Sequence, residues 1–585
     1  MKINNINRFQ VNPVDTDQPR SRIGRSFSRT QTFLTGQLVP IYVHEVLPNE
    51  TLKLDFSSLV RSITPAVPVM DNAFIDYFFF FVPNRLCTAV DTDWQQVCGE
   101  NRTGYWAPNT EKTLNNTGNV VDIKNLTAET IKNVSYKIAP QSLLNYLGAP
   151  VLTSDRVGTS SSNTTGVINT LAPRAYYKIW DEWFRDENTQ APHSWNVNVL
   201  GQRASIKYVN KFHDIYTSAL QSPQKGASVM LPLGTSAPVL TSFTSHDVTA
   251  APLTFERNNQ NALISGSPQY RALSMANTGS SGNKHFVLAT NTGTTNLINN
   301  SGTQITSFDD IDDNAFIPNN LYADLSQATA STVNELRNAF AIQRLLEADS
   351  RGGTRYFETL LAHFGVTNPD LVLQRPEYLA GKRVPLNISQ VLQTSGDTEQ
   401  ALSPLGSTGA FSNTSSSDYM FTKSFGEYGF VMGLACVRTS QSYSQGIPKF
   451  MLRQRRFDFY WRKLCNIGEQ PILKKELYFG QSLNDNNAVF GYQEAWADYR
   501  YQYNQVLGYV APDAGDSALS AWTYTNKFLS YPTLNSDFNV QSKDNFDQTL
   551  VVKDSPYHFI ANFYYEERLD LPMPLYSIPG LIDHH

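Results

Sequence analysis

Residues 71–86 read DNAFIDYFFFFVPNRL, and a run of four phenylalanines admits three readings: a membrane span, a helix or a strand. A span needs about 20 apolar residues, whereas this run is interrupted by Asp76 and closed by Pro83, Asn84 and Arg85. A helix so rich in rings loses rotamer freedom against its preceding turn. As a strand, Ile75, Tyr77, Phe79 and Phe81 point to one face, and Phe74, Phe78, Phe80 and Val82 to the other. Both faces are then apolar and both must be covered. That predicts a large layered β protein in which insertions or neighbouring chains pack over the outer face of a sheet.

Nearby segments carry the same period. LVPIYVHEVL, residues 38–47, sets Val39, Ile41, Val43 and Leu47 on one face, and ETLKLDF, residues 50–56, alternates Leu52, Leu54 and Phe56 with polar neighbours. They read as two strands joined by a turn at Pro48-Asn49. Further strands are predicted at Tyr428 to Ser442 and Tyr557 to Asp570. If both ends of the chain build one sheet system, what lies between them is insertion.

That interior reads as helices and one long irregular stretch. Pro173 opens a helix with Tyr176, Ile179, Trp180, Trp183 and Phe184 along its apolar side and Asp181 and Glu182 on its solvated side. Thr332 and Glu335 have capping-box spacing, and the helix they start offers Val333, Leu336, Ala339, Phe340 and Leu346 for burial until Gly352-Gly353 breaks it. A third helix, Thr354 to Phe364, stops at Gly365. Residues 237–314 are rich in Ser, Thr, Asn and Gly, with short apolar runs such as HFVLAT, and read as a functional insertion or disorder, with some order argued by the interspersed apolar residues.

A length of 585 residues suggests several domains, yet no Gly/Ser or Pro linker divides the chain, so one elaborated domain is expected. With 12% aromatic and 17% charged residues, the chain suits a protein that hides surface against other chains, or one with a large aromatic core. MKINNINRFQ lacks a signal peptide's apolar run and no later segment is long and apolar enough to span a membrane, so the chain is expected to stay in a cytoplasm after synthesis. Cys87, Cys98, Cys436 and Cys465 have neither zinc-site nor disulfide-framework spacing and read as reduced, mostly buried thiols.

Signatures of catalysis are missing: there is no phosphate-binding GxxxxGK[ST], nucleophile elbow, HExxH or dinucleotide fingerprint. No enzyme, cofactor or metal centre is expected. Ser350 to Arg355, SRGGTR, reads as a helix-to-helix turn rather than a phosphate cradle. Asp309, Asp310, Asp312 and Asp313 lack the glycine and distal glutamate of an EF-hand loop, and the adjacent His584 and His585 make a poor metal site.

Two basic segments remain. Residues 1–30 hold six basic residues, including Arg20, Arg22, Arg25 and Arg29, against Asp15 and Asp17, so this arm is +4 and the rest of the chain is −9, within a total of −5. Such an arm seeks a polyanion or is a solvated terminus. Lys449 to Lys475 carries eight basic residues, among them Arg453, Arg455, Arg456, Arg462 and Lys463, interleaved with Phe457, Phe459, Tyr460 and Trp461. Cations for phosphate and rings for base stacking are the ingredients of sequence-tolerant single-strand binding; a strand with one face in a core and one in solvent also places rings beside arginines. Both readings stay open on the residues alone.

The stretch GQLVPIYVHEVLPNETLKLDFSSLVRSITPAVPVMDNAFIDYFFFFVPNRL resembles the N-terminal signature of the major capsid proteins of microviruses, especially their gokushovirus-like branch. LAPRAYYKIWDEWFRDEN, FHDIYTSALQSPQKG, IPNNLYADLS, NELRNAFAIQRLLEADSRGGTRYFETLLAHFGVTNPD, LQRPEYLAG, FGYQEAWADYRY and IPGLIDHH resemble further family blocks in the family's order. The resemblance covers nearly the whole chain and is weakest in 237–314 and 407–418. It implies a mainly β fold: a single eight-stranded jelly roll with large helical and loop insertions, occupying residues 31–585 behind the 1–30 arm. It further implies a T=1 icosahedral virion shell of a bacteriophage, enclosing a circular single-stranded DNA genome, with 237–314 as a surface protrusion at the threefold axes. Its partners would be copies of itself, the genomic DNA, a small basic DNA-packaging protein, a minor or pilot virion protein and a host surface receptor. A β-rich adhesin or carbohydrate-binding module, using its rings on sugars, is the competing reading from another class.

Overall fold

The computed structural model describes residues 20–87, 128–132, 139–151, 164–169, 171–193, 205–226, 229, 239–241, 254–257, 271–277, 284–289, 316–318, 321–323, 333–352, 355–365, 373–392, 408–515 and 519–576. Cys98, Asp309, Asp310, Asp312, Asp313, His584 and His585 lie outside these residues. The chain divides into two compact units, Gly226–Leu346 and the remainder.

The remainder is built on two four-stranded antiparallel sheets. Eight strands supply them: β1 (Ser21–Phe33), β2 (Val39–Val46), β3 (Thr51–Ser62), β4 (Ala73–Pro83), β5 (Glu377–Pro385), β6 (Thr414–Ser424), β7 (Gly429–Thr439) and β8 (Phe559–Leu571). One sheet runs β1-β8-β3-β6 and the other β5-β4-β7-β2. The two strands predicted around Pro48-Asn49 are present, with Asn49 in the left-handed region at φ 67°, but the turn carries the chain from one sheet to the other rather than closing a hairpin. The polar β6, which begins within the 407–418 segment of weak family resemblance, is a strand that alternation does not predict; it pairs along β3 and closes one sheet edge.

The aromatic strand does what its alternation requires. Ile75, Tyr77, Phe79 and Phe81 enter a core shared by both sheets, where Phe56 of β3 meets Tyr77 and Phe79 edge-on at 5.0 and 5.7 Å between ring centres. Gly433 of β7 lies opposite Phe79, and a Cβ there would come within 2.7 Å of the Phe79 ring, so the missing side chain makes room for it. Phe80 and Val82 face the other way, into a second core with Met432, Leu434 and Cys436. An insertion covers that core: α1 (Leu171–Ile179) lays Ala175, Tyr176 and Ile179 on it, and a π-helical turn, Trp180–Phe184, extends the cover with Trp180. A third core, around Tyr216, Tyr443, Leu477 and Phe538, is built by the segments that follow β7 together with residues near 216.

Other sequence expectations shift. The helix begins two residues before Pro173, and Asp181 is buried rather than solvated, because the chain returns to donate the His193 N–H to Asp181 Oδ1 at 2.9 Å. Burial pushes that carboxyl above the usual range. The second predicted helix is α2 (Val333–Arg351), but its predicted stripe is only partly covered: Phe340 is 58% exposed and Leu336 is exposed, while Ala339 and Leu346 are half-buried. The third is α3 (Tyr356–Phe364), capped by Gly365 at φ 65° as expected. Residues 237–314, predicted to be irregular, contain strands: Thr254–Arg257, Arg271–Asn277, Lys284–Ala289 and the nearby Phe316–Pro318 form a four-stranded antiparallel sheet, and Val239–Thr241 pairs with Leu321–Ala323.

Candidate nucleic-acid interface

The two basic segments meet different fates. Residues 21–30, assigned to a basic arm by charge, are edge-strand residues paired in continuous register with β8 from Ser21↔Leu571 to Phe33↔Phe559. Their arginines are spent on the fold. Arg20 bonds the Asn49 carbonyl at 2.9 Å, Arg22 pairs with Asp570 at 3.1 Å, Arg25 Nε donates to Glu567 Oε2 at 2.7 Å, and Arg29 reaches the Tyr146 carbonyl at 3.3 Å. Cross-strand partners of opposite charge explain this: Arg25 lies directly opposite Glu567, and Arg22 opposite Asp570.

The second segment is not a half-buried strand. It comprises one helical turn, Lys449–Leu452, two 3-10 turns, Arg456–Asp458 and Arg462–Leu464, the strand Glu469–Leu473, and the start of a third 3-10 turn, Lys474–Glu476. Its base is fixed at both flanks. Arg453 pairs with Asp498 and lies 4.5 Å from the centre of the Tyr499 ring, while Trp496 Nε1–H donates to the Leu464 carbonyl at 2.8 Å. Tyr460 packs edge-on against Trp496 at 5.6 Å.

Between these anchors, residues 454–463 are all exposed. Phe457 is 70% exposed and Trp461 45%, with Phe459 and Tyr460 also open. Arg455, Arg456, Arg462 and Lys463 form no ion pair with any described residue; the one acid in the loop, Asp458, accepts the backbone N–H groups of Gln454 and Arg455 at 3.0 and 2.8 Å. Those two hydrogen bonds hold its carboxyl below the usual range. Trp461 is oriented by its own Nε1–H, which donates to the Arg456 carbonyl at 2.9 Å, and the Arg456 guanidinium stands 5.1 Å from the ring centre. Phe450 and Met451, exposed on the preceding turn, widen the apolar surface. Sequence reasoning singles out neither them nor the supporting Trp496 and Tyr499, although the aromatic density of AWADYRY is the available signal.

Chemistry elsewhere is structural. Thr35, His558 and Asp547 line up like a hydrolase triad, with His558 Nδ1 2.9 Å from Thr35 Oγ1 and Nε2 2.9 Å from Asp547 Oδ1, but Thr35 and His558 are fully buried, where no substrate reaches. Arg355, in the SRGGTR segment, is held by Glu182, Glu187 and Glu358, as a turn residue joining structure would be. Among the described residues no three His, Cys, Asp or Glu side chains gather as metal ligands, and no helix is long and apolar enough to cross a membrane. Cys87 and Cys436 are buried thiols and Cys465 is exposed.

Comparison with known proteins completes the site's context. The family described as capsid protein (F protein) matches residues 12–581. The chain is 34% identical over 569 residues to capsid protein VP1 of Bdellovibrio phage phiMH2K, covering 96% of this chain and 95% of the relative. It is 33% identical over 599 residues to capsid protein VP1 of Spiroplasma virus 4, covering 99% and 98%. To capsid protein VP1 of Chlamydia phage 1 it is 32% identical over 617 residues, covering 98% of each.

Proposed function

This chain belongs to the phage capsid protein (F protein) family, as a microvirus major capsid protein of the virion, and from that premise we propose that its copies close into a T=1 icosahedral shell around a circular single-stranded DNA genome. The loop 454–463 is the proposed DNA contact. What carries the reading is one observation: four cations with no ion pair among the described residues stand among four exposed rings on a base fixed from both sides. Cations neutralise phosphates and flat rings stack on unpaired bases without reading sequence. Arg455, Arg456, Arg462 and Lys463 with Trp461 form the DNA-binding set, whereas Arg20, Arg22, Arg25, Arg29 and Arg453 act first as structural ties.

The body is a jelly roll in this reading. Support comes from the strand order: the first and last strands are neighbours, and successive strands alternate between sheets except at β4 and β5, which pair with each other. Residues 237–314 form the outward protrusion at the threefold axes and the surface for a host receptor, supported by their small polar composition and by their place within a unit that is compact by itself. A small basic packaging protein shares the neutralisation of DNA, and a minor or pilot protein completes the virion; the role is structural rather than enzymatic.

The test replaces Arg455, Arg456, Arg462 and Lys463 with Gln and measures DNA per assembled particle across a salt series. Packaging should fall, and the salt dependence should flatten by roughly 0.7 log units per decade for each phosphate that is no longer neutralised. Unchanged DNA content and slope would transfer the loop to the interface between copies.

A further inference from the structure

Lys211 sits beside the bridge of Asn210 to Val540, with its backbone N–H donating to the Asn539 carbonyl at 2.8 Å. The residue is only 6% exposed, and its ammonium lies 4.8 Å from the centre of the Phe538 ring. Among the described residues it forms no ion pair and its side chain donates no hydrogen bond. An ammonium has three donors, and leaving them unused in a buried position is costly; the ring compensates only in part. The nearby acid is already committed: Asp214 accepts the Tyr443 O–H at 2.6 Å and the backbone N–H groups of Tyr216 and Thr217 at 2.9 and 2.8 Å. Burial pushes Lys211 down to about 8, against the attraction of Asp214.

Lys211 lines an open cleft of about 660 Å³, together with Lys527, Phe528, Asp537, Phe538 and Asp544. Several polar side chains in its wall already have partners. Asn526 Nδ2 donates to Gln441 Oε1 at 3.0 Å, Asn545 Nδ2 to Asn526 Oδ1 at 2.9 Å, and Gln548 Nε2 to the Thr523 carbonyl at 2.8 Å. Lys211 is therefore a buried group with unmet capacity among the described residues, in a cavity of the size that takes small molecules.

We propose that this cleft binds a carboxylate-bearing ligand with an apolar tail, its carboxylate on the Lys211 ammonium and its tail against Phe528 and Phe538. The charges of the cleft choose the class. Lys211 and Lys527 match Asp537 and Asp544 in number, so the cleft carries no net positive charge, and a monoanion seated on the buried ammonium meets weaker repulsion from the two acids than a phosphate dianion does. The site is separate from the DNA loop, and its success or failure does not depend on that reading.

Native particles are treated with limiting acetic anhydride at several pH values, and acetylation of Lys211 is quantified by mass spectrometry against exposed Lys527. Hexanoate, hexanamide and inorganic phosphate are the probes. Hexanoate should protect Lys211 by about tenfold near saturation and move its labelling midpoint upward, while hexanamide and phosphate leave it within about twofold. Equal protection by hexanamide would reduce the cleft to an apolar hole, and equal protection by phosphate would remove the carboxylate preference; either overturns the proposal, as does the absence of hexanoate protection. Lys211→Met should abolish the calorimetric heat of hexanoate binding; should that variant not assemble, the wild-type labelling decides.

Discussion

Asp76, the one charge in the aromatic strand, lies directly opposite Arg383 of β5, whose Nε donates to its Oδ1 at 2.6 Å. Arg438 of β7 closes on the other oxygen, Nε to Oδ2 at 2.9 Å, and both guanidinium groups flank the Phe212 ring at 4.5 and 4.3 Å. The residue that argued against a membrane span thus fastens three strands on the sheet's outer face. Asp76→Asn leaves two cations facing a neutral amide and should destabilise the dissociated subunit. Breaking a buried pair costs about 3–5 kcal/mol, and the half-exposed Arg383 places this case near the lower end. Urea unfolding measures it; a change below about 1 kcal/mol would class the group with surface ion pairs.

Arg25 and Glu567 make a parallel case on β1 and β8. Glu567 is buried and also accepts the Tyr42 O–H at 2.7 Å, so Arg25→Gln leaves a buried carboxylate with a single strong donor. A loss of about 2–3 kcal/mol is expected in thermal or urea unfolding, discounted because the Arg25 side chain is half in solvent. Packaged DNA and its salt dependence should stay at wild-type values. A DNA deficit without a stability loss would instead restore Arg25 to the DNA-binding set.

His558 predicts acid sensitivity. Burial pushes its imidazole below the ordinary value, while Asp547 pulls the other way, and the Thr35 N–H donates to Nδ1 at 3.3 Å, so the neutral ring carries its proton on Nε2 toward Asp547. The unfolded imidazole binds a proton at about 6.5, and the folded one only at lower pH. Its contribution is therefore complete above about pH 6.5 and is lost as pH falls through the folded value. Urea midpoints of the dissociated subunit from about pH 7 to about pH 5 should decline more steeply for wild type than for His558→Gln. Parallel curves would show that His558 is not the titrating group.

Period-two alternation exposes β2, β3, β4, β7 and β8 in the sequence because each carries apolar residues at regular strand spacing over most of its length. It misses β6, whose TSSSDYMFTKS buries Thr414 and Phe421 while most of the strand is turned outward or half-covered along an edge. Charge, for its part, groups 21–30 with the basic arm, whereas these residues form an edge strand with arginines on its exposed side; the acids that hold Arg22 and Arg25 are 548 and 542 residues away. Local pattern cannot register such pairs. Asp181 fails for a related reason, since the His193 backbone that buries it returns from outside the helix. The loop 454–463 is legible as composition, but its exposure depends on anchors at Asp498 and Trp496, supplied by another segment.

Trp461 offers the sharpest separation between binding to DNA and binding between copies. Its ring is fixed by the bond to the Arg456 carbonyl, yet nearly half its surface meets solvent, so it is oriented without being enclosed. A stacked base is worth about 1–3 kcal/mol and requires a flat π-face, whereas a neighbouring subunit requires chiefly apolar area. Trp461→Leu keeps apolar area and loses the face; Trp461→Phe keeps both in reduced size. If the ring stacks on DNA, Leu particles form at wild-type yield but release DNA at lower salt, and Phe particles stay close to wild type. If Leu and Phe particles both retain DNA as wild type does while Trp461→Asp prevents shells from forming, the ring belongs to an interface between copies. The cations around it would then be placed to meet acids of a neighbouring subunit.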